Sequence, residues 1–428
     1  MRPASLAGWL EHLERLHPAV IDLGLERVAR VRDALALAPK FPVIAVAGTN
    51  GKGSSCAMLE AVFHAAGYKV GCYTSPHLIR YNERVRIARR EADDAALGRA
   101  FGAVEQARGA TTLTYFEFGT LAAVAAFVEA GVEVAVLEVG LGGRLDAVNA
   151  FDADCALVTA IDLDHMEYLG DTREKIGREK AGIFRAGRPA VCSDPAMPAS
   201  VAAHAAAIGA PLSALGRDFG FEPQDAQWSY WGPGGRRSAL PHPALRGAYQ
   251  LANASGVITV LDALRDRLPV ALQDLRAGLL TAEVPGRFQV LPGRPAVILD
   301  VAHNPHAARA LAGNLARMGG RGRTLAVCAM LRDKDSTGVI DALAPEVDAW
   351  FVGSTAGPRG MAATELAARV RVRAPWAAVE AAGSVAEAYA RACETAGSDD
   401  RICVFGSFLT VAEVIAAREN ARRQGTAR

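Results

Sequence analysis

The chain has 428 residues, 51% of them hydrophobic and 22% charged, a globular composition that excludes disordered and fibrous classes; at ~150 residues per domain the length predicts two or three domains. Lys plus Arg number 47 against 46 Asp plus Glu, so the charge carries no footprint of a nucleic-acid or anionic-membrane binder, and an anionic ligand must be held by local geometry. Seven cysteines, odd in number and never spaced Cys-x-x-Cys, exclude a disulfide framework and a zinc site and read as buried free thiols. The first residues offer no apolar run of signal-peptide length, and Leu121 to Leu141 is broken by Glu129, Glu133 and Glu138, so it reads as a helix and then a buried strand; a cytoplasmic location away from membranes is expected.

Short β-branched runs alternate with alanine-rich helical stretches, the pattern of crossover units on a parallel sheet. In chain order, strands are expected at Val43–Ala47, Lys69–Tyr73, Val132–Val139 and Cys155–Ile161, with helices at Gly53–Ala66, Tyr115–Ala130 and Thr172–Phe184. Their unbroken apolar character suits strands covered on both faces. From Pro211 to Pro243, with Trp228, Tyr230 and Trp231, the character shifts to peripheral loops and short strands, and helical periodicity resumes over Gly247–Leu264. Prolines and glycines from Val284 to Pro295 mark a joint, after which strands at Ala296–Asp300, Thr324–Ala329, Ala349–Val352 and Ile402–Phe405 predict another α/β domain.

The strongest local signal is Val43 to Ser55, an apolar strand, a glycine-rich turn and a helix. Such a turn aims N–H groups and a helix N-terminus at a phosphate, while Lys52 can reach the terminal phosphates and Ser54 a magnesium ion. It departs from G-x-x-x-x-G-K-[ST] because Val46 replaces the first glycine and Gly53 intervenes before Ser54. Ser75 follows the next strand at the edge where open α/β sheets bind ligands. A carboxylate at the end of an apolar strand, as Glu138 is, is costly unless a cation neutralises it, so Glu138 is a candidate metal ligand. His165 falls on the same edge, whereas Lys180 taken alone reads as a surface lysine. In the last domain Asp300, His303 and Asn304 leave a strand end, with Pro305 suited to a first helical turn and a plain capping loop as the alternative.

Taken together, these segments resemble the Mur ligase superfamily and, within it, the folylpolyglutamate synthase and dihydrofolate synthase branch. The resemblance rests on Ile21–Arg27, Gly48-Thr-Asn-Gly-Lys-Gly-Ser54, Ser75-Pro-His-Leu78, Thr114–Thr120, Leu137–Asp146, Asp164-His165, Glu179-Lys-Ala-Gly182, Pro285-Gly-Arg-Phe288 and Asp300–Pro305, in that order over nearly the whole chain. It implies an α/β fold with a P-loop-containing, Mur-ligase-like central domain on a parallel-rich sheet within residues 1–286, and a smaller Rossmann-like glutamate-ligase domain in residues 287–428.

The implied activity is ATP-dependent attachment of L-glutamate, through an acyl phosphate, to 7,8-dihydropteroate and to tetrahydrofolate glutamates. Thr49, Asn50, Gly51, Lys52, Gly53 and Ser54, with Asn253, Arg287 and Asp300, match ATP-contacting residues. Ser75, Glu138 and His165, with Ser54 close by, match the magnesium site. Lys180 matches a lysine carbamylated in this family, and His303 a residue orienting glutamate or the acyl phosphate. Asp22, Gly24, Thr114, Phe116, Glu117, Leu145, Asp146 and Ala147 match the positions that hold dihydropteroate in the bifunctional bacterial members. The partners implied are small molecules, with no nucleic acid or membrane, and a monomer is expected. A monofunctional polyglutamylating enzyme and another Mur-type amino-acid ligase are the alternatives; a nucleotide switch is disfavoured because the chain lacks a base-reading Asn-Lys-x-Asp segment.

Overall fold

The computed structural model describes residues 3–247, 249–318 and 322–423. The chain forms two compact units, Met1–Ala244 with Gln250–Glu283, and Leu245–Tyr249 with Val284–Arg428. In the first, α1 (Leu6–Leu16) and α2 (Glu26–Ala34) precede β1 (Val43–Ala47), α3 (Lys52–Ala65) and β2 (Val70–Tyr73). A 3-10 turn at Tyr81–Arg84 leads into the hairpin β3 (Val85–Ile87) and β4 (Arg90–Glu91), then come α4 (Asp94–Arg108), α5 (Tyr115–Ala130), β5 (Val134–Glu138) and β6 (Cys155–Val158). After α6 (Met166–Leu169), α7 (Arg173–Ala181), β7 (Ala190–Cys192), α8 (Ala199–Ile208) and β8 (Leu212–Ala214), a small sheet of β9 (Gly220–Pro223), β10 (Gln227–Gly232) and β11 (Gly235–Pro241) precedes α9 (Tyr249–Leu264) and α10 (Leu272–Thr281).

The main sheet runs β4-β3-β2-β5-β1-β6-β7-β8, parallel from β2 to β8 and antiparallel only at the β3 and β4 edge. All five residues of β1 and all five of β5 are buried, as their unbroken apolar runs require of strands covered on both faces. α5 begins where Thr114 and Glu117 satisfy each other's backbone N–H groups and ends at Gly131 in the left-handed region, a start and a stop both written in local residue types. The chain leaves β1 for β2 on one side of the sheet and returns through β5 to β6 on the other. The carboxyl end of β1 is therefore a topological switch point, the place where open α/β sheets bind ligands.

The second unit contains β12 (Gln289–Leu291), β13 (Ala296–Leu299), α11 (Pro305–Met318), β14 (Thr324–Cys328), α12 (Ser336–Leu343), β15 (Ala349–Val352), α13 (Ala363–Arg373), β16 (Ala378–Ala381), α14 (Val385–Thr395), β17 (Arg401–Phe405) and α15 (Phe408–Arg423). Its sheet order is β12-β13-β17-β14-β15-β16, parallel except for β12.

β1, α5 and β15 occupy the expected residues, whereas β5 is shorter than its apolar run at both ends, with Val132 and Val139 buried just beyond it. The Pro211–Pro243 stretch carries the expected short strands, but part of it is not peripheral. Trp228 and Tyr230 are fully buried, since antiparallel pairing in β9–β11 turns their side chains inward, where Tyr230 Oη meets Thr259 Oγ1 at 3.0 Å. The cysteines are all free, but Cys393, on α14, is exposed rather than buried. No described helix is long and apolar enough to cross a membrane.

Candidate functional site

The segment after β1 forms a tight turn whose shape is set by its neighbours. Thr49 N donates to Ala160 O at 2.7 Å, Thr49 Oγ1 and Asp162 exchange two 3.0 Å hydrogen bonds, and Thr159 Oγ1 donates to Asn50 O at 2.8 Å, so the segment after β6 braces the loop. Gly51 sits at φ +93°, where a side chain would be strained, and an added Cβ would lie 2.6 Å from Asn253 Oδ1. Asn253 on α9 is thus in contact with the phosphate-type loop; its Nδ2 donates to Gln250 Oε1 at 3.0 Å, and Gln250 Nε2 donates to Ser54 Oγ at 3.2 Å. Lys52, the first residue of α3, places Nζ 3.0 Å from Gly48 O and 3.4 Å from Thr49 O, which holds the ammonium in the mouth of the turn. Gly53 lies against Glu138, whose carboxylate oxygens would stand 3.8 and 3.9 Å from a Cβ there.

Glu138 ends β5 in register with Val46 of β1, and its carboxylate is buried. Ser75 N donates to Glu138 Oε2 at 3.1 Å, which joins the loop after β2 to the end of β5. His165 adopts φ +50° at the start of α6, its N–H held by Asp164 Oδ1 at 2.9 Å. Ser75 and His165 line one cavity of about 250 Å³, together with Asp22, Thr114, Phe116, Glu117, Leu145, Asp146 and Ala147. Segments as far apart in sequence as Val20 and His165 thus share one lining. Gly24 lies outside this lining, although its neighbours Asp22 and Leu23 belong to it. Among the described residues no three His, Cys, Asp or Glu side chains cluster as a metal cage. Ser75 and His165 line the cavity and the buried Glu138 carboxylate lies behind it, joined to Ser75 N; a carboxylate, a hydroxyl and an imidazole with room for waters nevertheless suit Mg²⁺, which prefers oxygen and keeps several waters.

Lys180 is buried on α7, contrary to the surface position that its charge alone suggests. Burial and the nearby Lys52 ammonium push its pKa down to about 7, against the opposing pull of Asp164 and Asp146. Asp146, also buried, is pushed up to about 7 by desolvation, although Leu141 N (2.9 Å) and Val148 N (3.0 Å) donate to it. Gly143 lets the Gly140–Asp146 loop press against α7. An added Cβ would stand 2.7 Å from Glu179 O and 2.8 Å from Lys180 O, with Arg144 N donating to Glu179 O at 2.8 Å beside it. Gly143→Ala is therefore expected to lift this loop, costing about 1–3 kcal/mol of stability and displacing both Asp146 and Lys180. A thermal melt and a turnover assay check it together: a parental melting temperature with parental turnover would contradict the close contact.

Two arginines in this region have no assigned role in the sequence reading. Arg27 on α2 bridges the cavity's carboxylates, with Nη1 2.7 Å from Asp22 Oδ2 and Nη2 donating to Glu117 Oε1 at 2.9 Å. Arg84 lines the cavity itself, with its guanidinium over the rings of Tyr81 (5.4 Å) and Tyr115 (5.3 Å) and its Nε donating to His77 Nδ1 at 2.8 Å. That bond makes Nδ1 an acceptor, so the His77 ring is neutral, in keeping with a pKa that burial and Arg84 push down to about 4. Arg27 stands in the quoted Ile21–Arg27 run, but its pairing across 90 residues has no periodic signature. Gln250 was legible only as part of a helix.

In the second unit Asp300 follows β13 and is buried. Its oxygens accept from Phe288 N and Ala302 N, each at 2.8 Å, and burial raises its pKa against the pull of Arg287. His303 Nδ1 lies 2.8 Å from Val301 O; a carbonyl only accepts, so Nδ1 carries a proton. The Arg287 guanidinium stacks on Phe408 at 5.3 Å, and the His303 ring lies 6.3 Å from that same ring. Asn304 accepts from Ala307 N at 2.9 Å and so caps α11, which accounts for it structurally.

Residues 46–193 match the Mur ligase middle domain, and residues 286–408 match the glutamate ligase domain of Mur ligases. The Escherichia coli protein named dihydrofolate synthase/folylpolyglutamate synthase is 45% identical over 424 residues, covering 99% of this chain and 97% of its own. The chain belongs to this family of Mur ligases. It is an ATP-dependent ligase. The solved structure of E. coli FolC in complex with DHPP and ADP superposes with a TM-score of 0.93 at 44% identity, covering 99% of both chains. A bifunctional folylpolyglutamate synthase/dihydrofolate synthase with Mn, AMPPNP and L-glutamate bound gives 0.90 at 44% identity, covering 97% of this chain and 99% of that one.

Proposed function

We propose that this ligase adds L-glutamate both to 7,8-dihydropteroate and to the terminal γ-carboxyl of tetrahydrofolate glutamates. The observation that carries the reading is the single cavity in which Asp22, Thr114, Phe116, Glu117, Leu145, Asp146 and Ala147 meet Ser75 and His165. An aromatic and aliphatic wall with a few polar groups suits a flat heterocycle. Gly24 does not line the cavity, and nothing lies within 4 Å of a Cβ added there, so it carries no contact in this reading. The relatives crystallised with DHPP, ADP, AMPPNP, Mn and L-glutamate support the same substrates and a divalent metal.

A carboxylate is a poor electrophile and must approach anionic phosphates, so catalysis here is charge neutralisation and positioning. Thr49, Asn50, Gly51, Gly53 and Asn253 cradle ATP, and the Lys52 ammonium offsets charge on the terminal phosphates. Ser54, Ser75, Glu138 and His165 hold Mg²⁺, which when bound neutralises phosphate charge. Arg84 meets the substrate carboxylate. The γ-phosphate passes to that carboxylate, the glutamate amine attacks the acyl phosphate, a C–N bond forms, and inorganic phosphate leaves with ADP as the other product. In the second unit Arg287 and Asp300 serve the nucleotide, and His303 orients the glutamate or the acyl phosphate. Lys180 is carbamylated: its neutral amine attacks CO₂ and loses a proton, which replaces a cation close to Lys52 by an anionic oxygen ligand. We assign the enzyme to the cytoplasm, as a monomer.

The test is phosphate release with Mg-ATP and L-glutamate, supplied with dihydropteroate or with tetrahydrofolate, products identified by mass. One glutamyl unit gained by each acceptor is the expected result. Release with tetrahydrofolate alone reduces the chain to a polyglutamylating enzyme and strips Thr114, Phe116 and Glu117 of their role. Release with neither returns it to other amino-acid ligases of the Mur type.

A further inference from the structure

Arg86, on the short strand β3 between β4 and β2, lies outside the cavity lining yet spends its donors on a buried network. Its Nε donates to both Glu60 oxygens at 3.0 and 3.1 Å, and its Nη2 stands 2.9 Å from Glu60 Oε2 and donates to Cys72 Sγ at 3.3 Å. Its Nη1 donates to Thr74 Oγ1 at 3.1 Å and to Glu83 O at 3.0 Å. Glu60 is 4% exposed and stands on α3, the helix that Lys52 opens. Thr74 immediately precedes Ser75, whose N–H reaches Glu138. Glu83 completes the scaffold, its carboxylate accepting from Leu78 N (2.7 Å), Ile79 N (2.8 Å) and Arg80 N (2.6 Å), so the loop after β2 hangs on these two side chains.

We infer that Arg86, paired with Glu60, is a positioning residue for catalysis: it fixes Ser75, and through Ser75 Glu138, against the helix that carries Lys52. The inference rests on the reading of Ser75 and Glu138 as metal ligands. A buried ion pair adds little to stability over a well-packed apolar pair, so its value here is directional. A planar fork with several donors can fix a helix, a strand and a loop at once, which a lysine ammonium on a flexible stem does not. Groups that orient ligands in this way typically change metal affinity or activity 10–100-fold when removed.

The double variant Glu60→Leu/Arg86→Met removes both charges and leaves neither buried alone, so it is expected to fold; either single variant strands a charge and is expected to melt lower. Affinities for Mn·ADP and for metal-free ADP are measured by calorimetry on the full chain. The double variant is expected to bind Mn·ADP about 10–100-fold more weakly and metal-free ADP as the parent does, and Arg86→Lys is expected not to restore the metal-dependent part. Parental Mn·ADP affinity in the double variant, or an equal loss for both ligands, overturns the inference. Glu138→Gln is measured beside it: if that variant keeps parental Mn·ADP affinity, the metal reading fails and this inference with it. If Glu138→Gln loses affinity and the double variant does not, only the positioning role fails.

Discussion

Lys52→Ala is expected to lower turnover at least ~10³-fold with either acceptor while leaving the melting temperature within a few degrees of the parent. Removing a single preorganised donor from a site of developing negative charge typically costs 10²–10³ in rate, and Lys52 contributes a full charge in a protected turn. Its own anchoring is modest: Nζ rests on Gly48 O and Thr49 O, two carbonyls on the same turn, so its removal opens no core cavity. The turn keeps its shape through Thr49, Asp162, Thr159 and Ala160, none of which depends on the lysine. Steady-state phosphate release and a thermal melt on the same preparation test both halves of the claim. Near-parental turnover would show that the terminal phosphates lie elsewhere.

The second large effect concerns Lys180. Lys180→Ala is expected to lose at least ~10²-fold in turnover, to recover part of it when a short carboxylate such as acetate is supplied, and to lack the added mass of one CO₂ that is expected on the parent. The parent is expected to lose activity in CO₂-free buffer and to regain it with bicarbonate. In CO₂-free buffer the unmodified amine also leaves a stability signature. Its pKa falls from the ordinary 10.5 to about 7 in the fold, so between these values the unfolded chain holds a proton that the folded chain has released. Stability therefore rises with pH across that window, and this contribution is lost as the pH falls through about 7. Lys180→Met is expected to flatten the rise in melting temperature between pH 7 and 10. A variant with parental turnover, together with a parent indifferent to CO₂, would remove Lys180 from the mechanism.

The sequence by itself determined the features that depend on neighbours in the chain. The unbroken apolar run of β1 implies a strand buried on both faces, the glycine-rich turn with Lys52 implies a phosphate loop, and the Thr114-x-x-Glu117 pair implies a helix start. Asp300 was legible only as a polar group at a strand end, and Glu138, a carboxylate ending an apolar strand, because a charge there must be compensated. Only the tertiary structure decided what compensates it. Lys180 reads as a surface lysine until α7 is pressed under the Gly143 loop and its ammonium loses its water. Trp228 and Tyr230 read as peripheral until antiparallel pairing turns them inward. Arg27 reaching Glu117 and Gln250 reaching Ser54 are bonds across 90 and 196 residues, and Arg86 joins Glu60 from the far side of β2. Periodicity and caps act over a few residues, whereas the directed bonds of a guanidinium or an amide are set by which segments the sheet order brings together, and no local pattern encodes that.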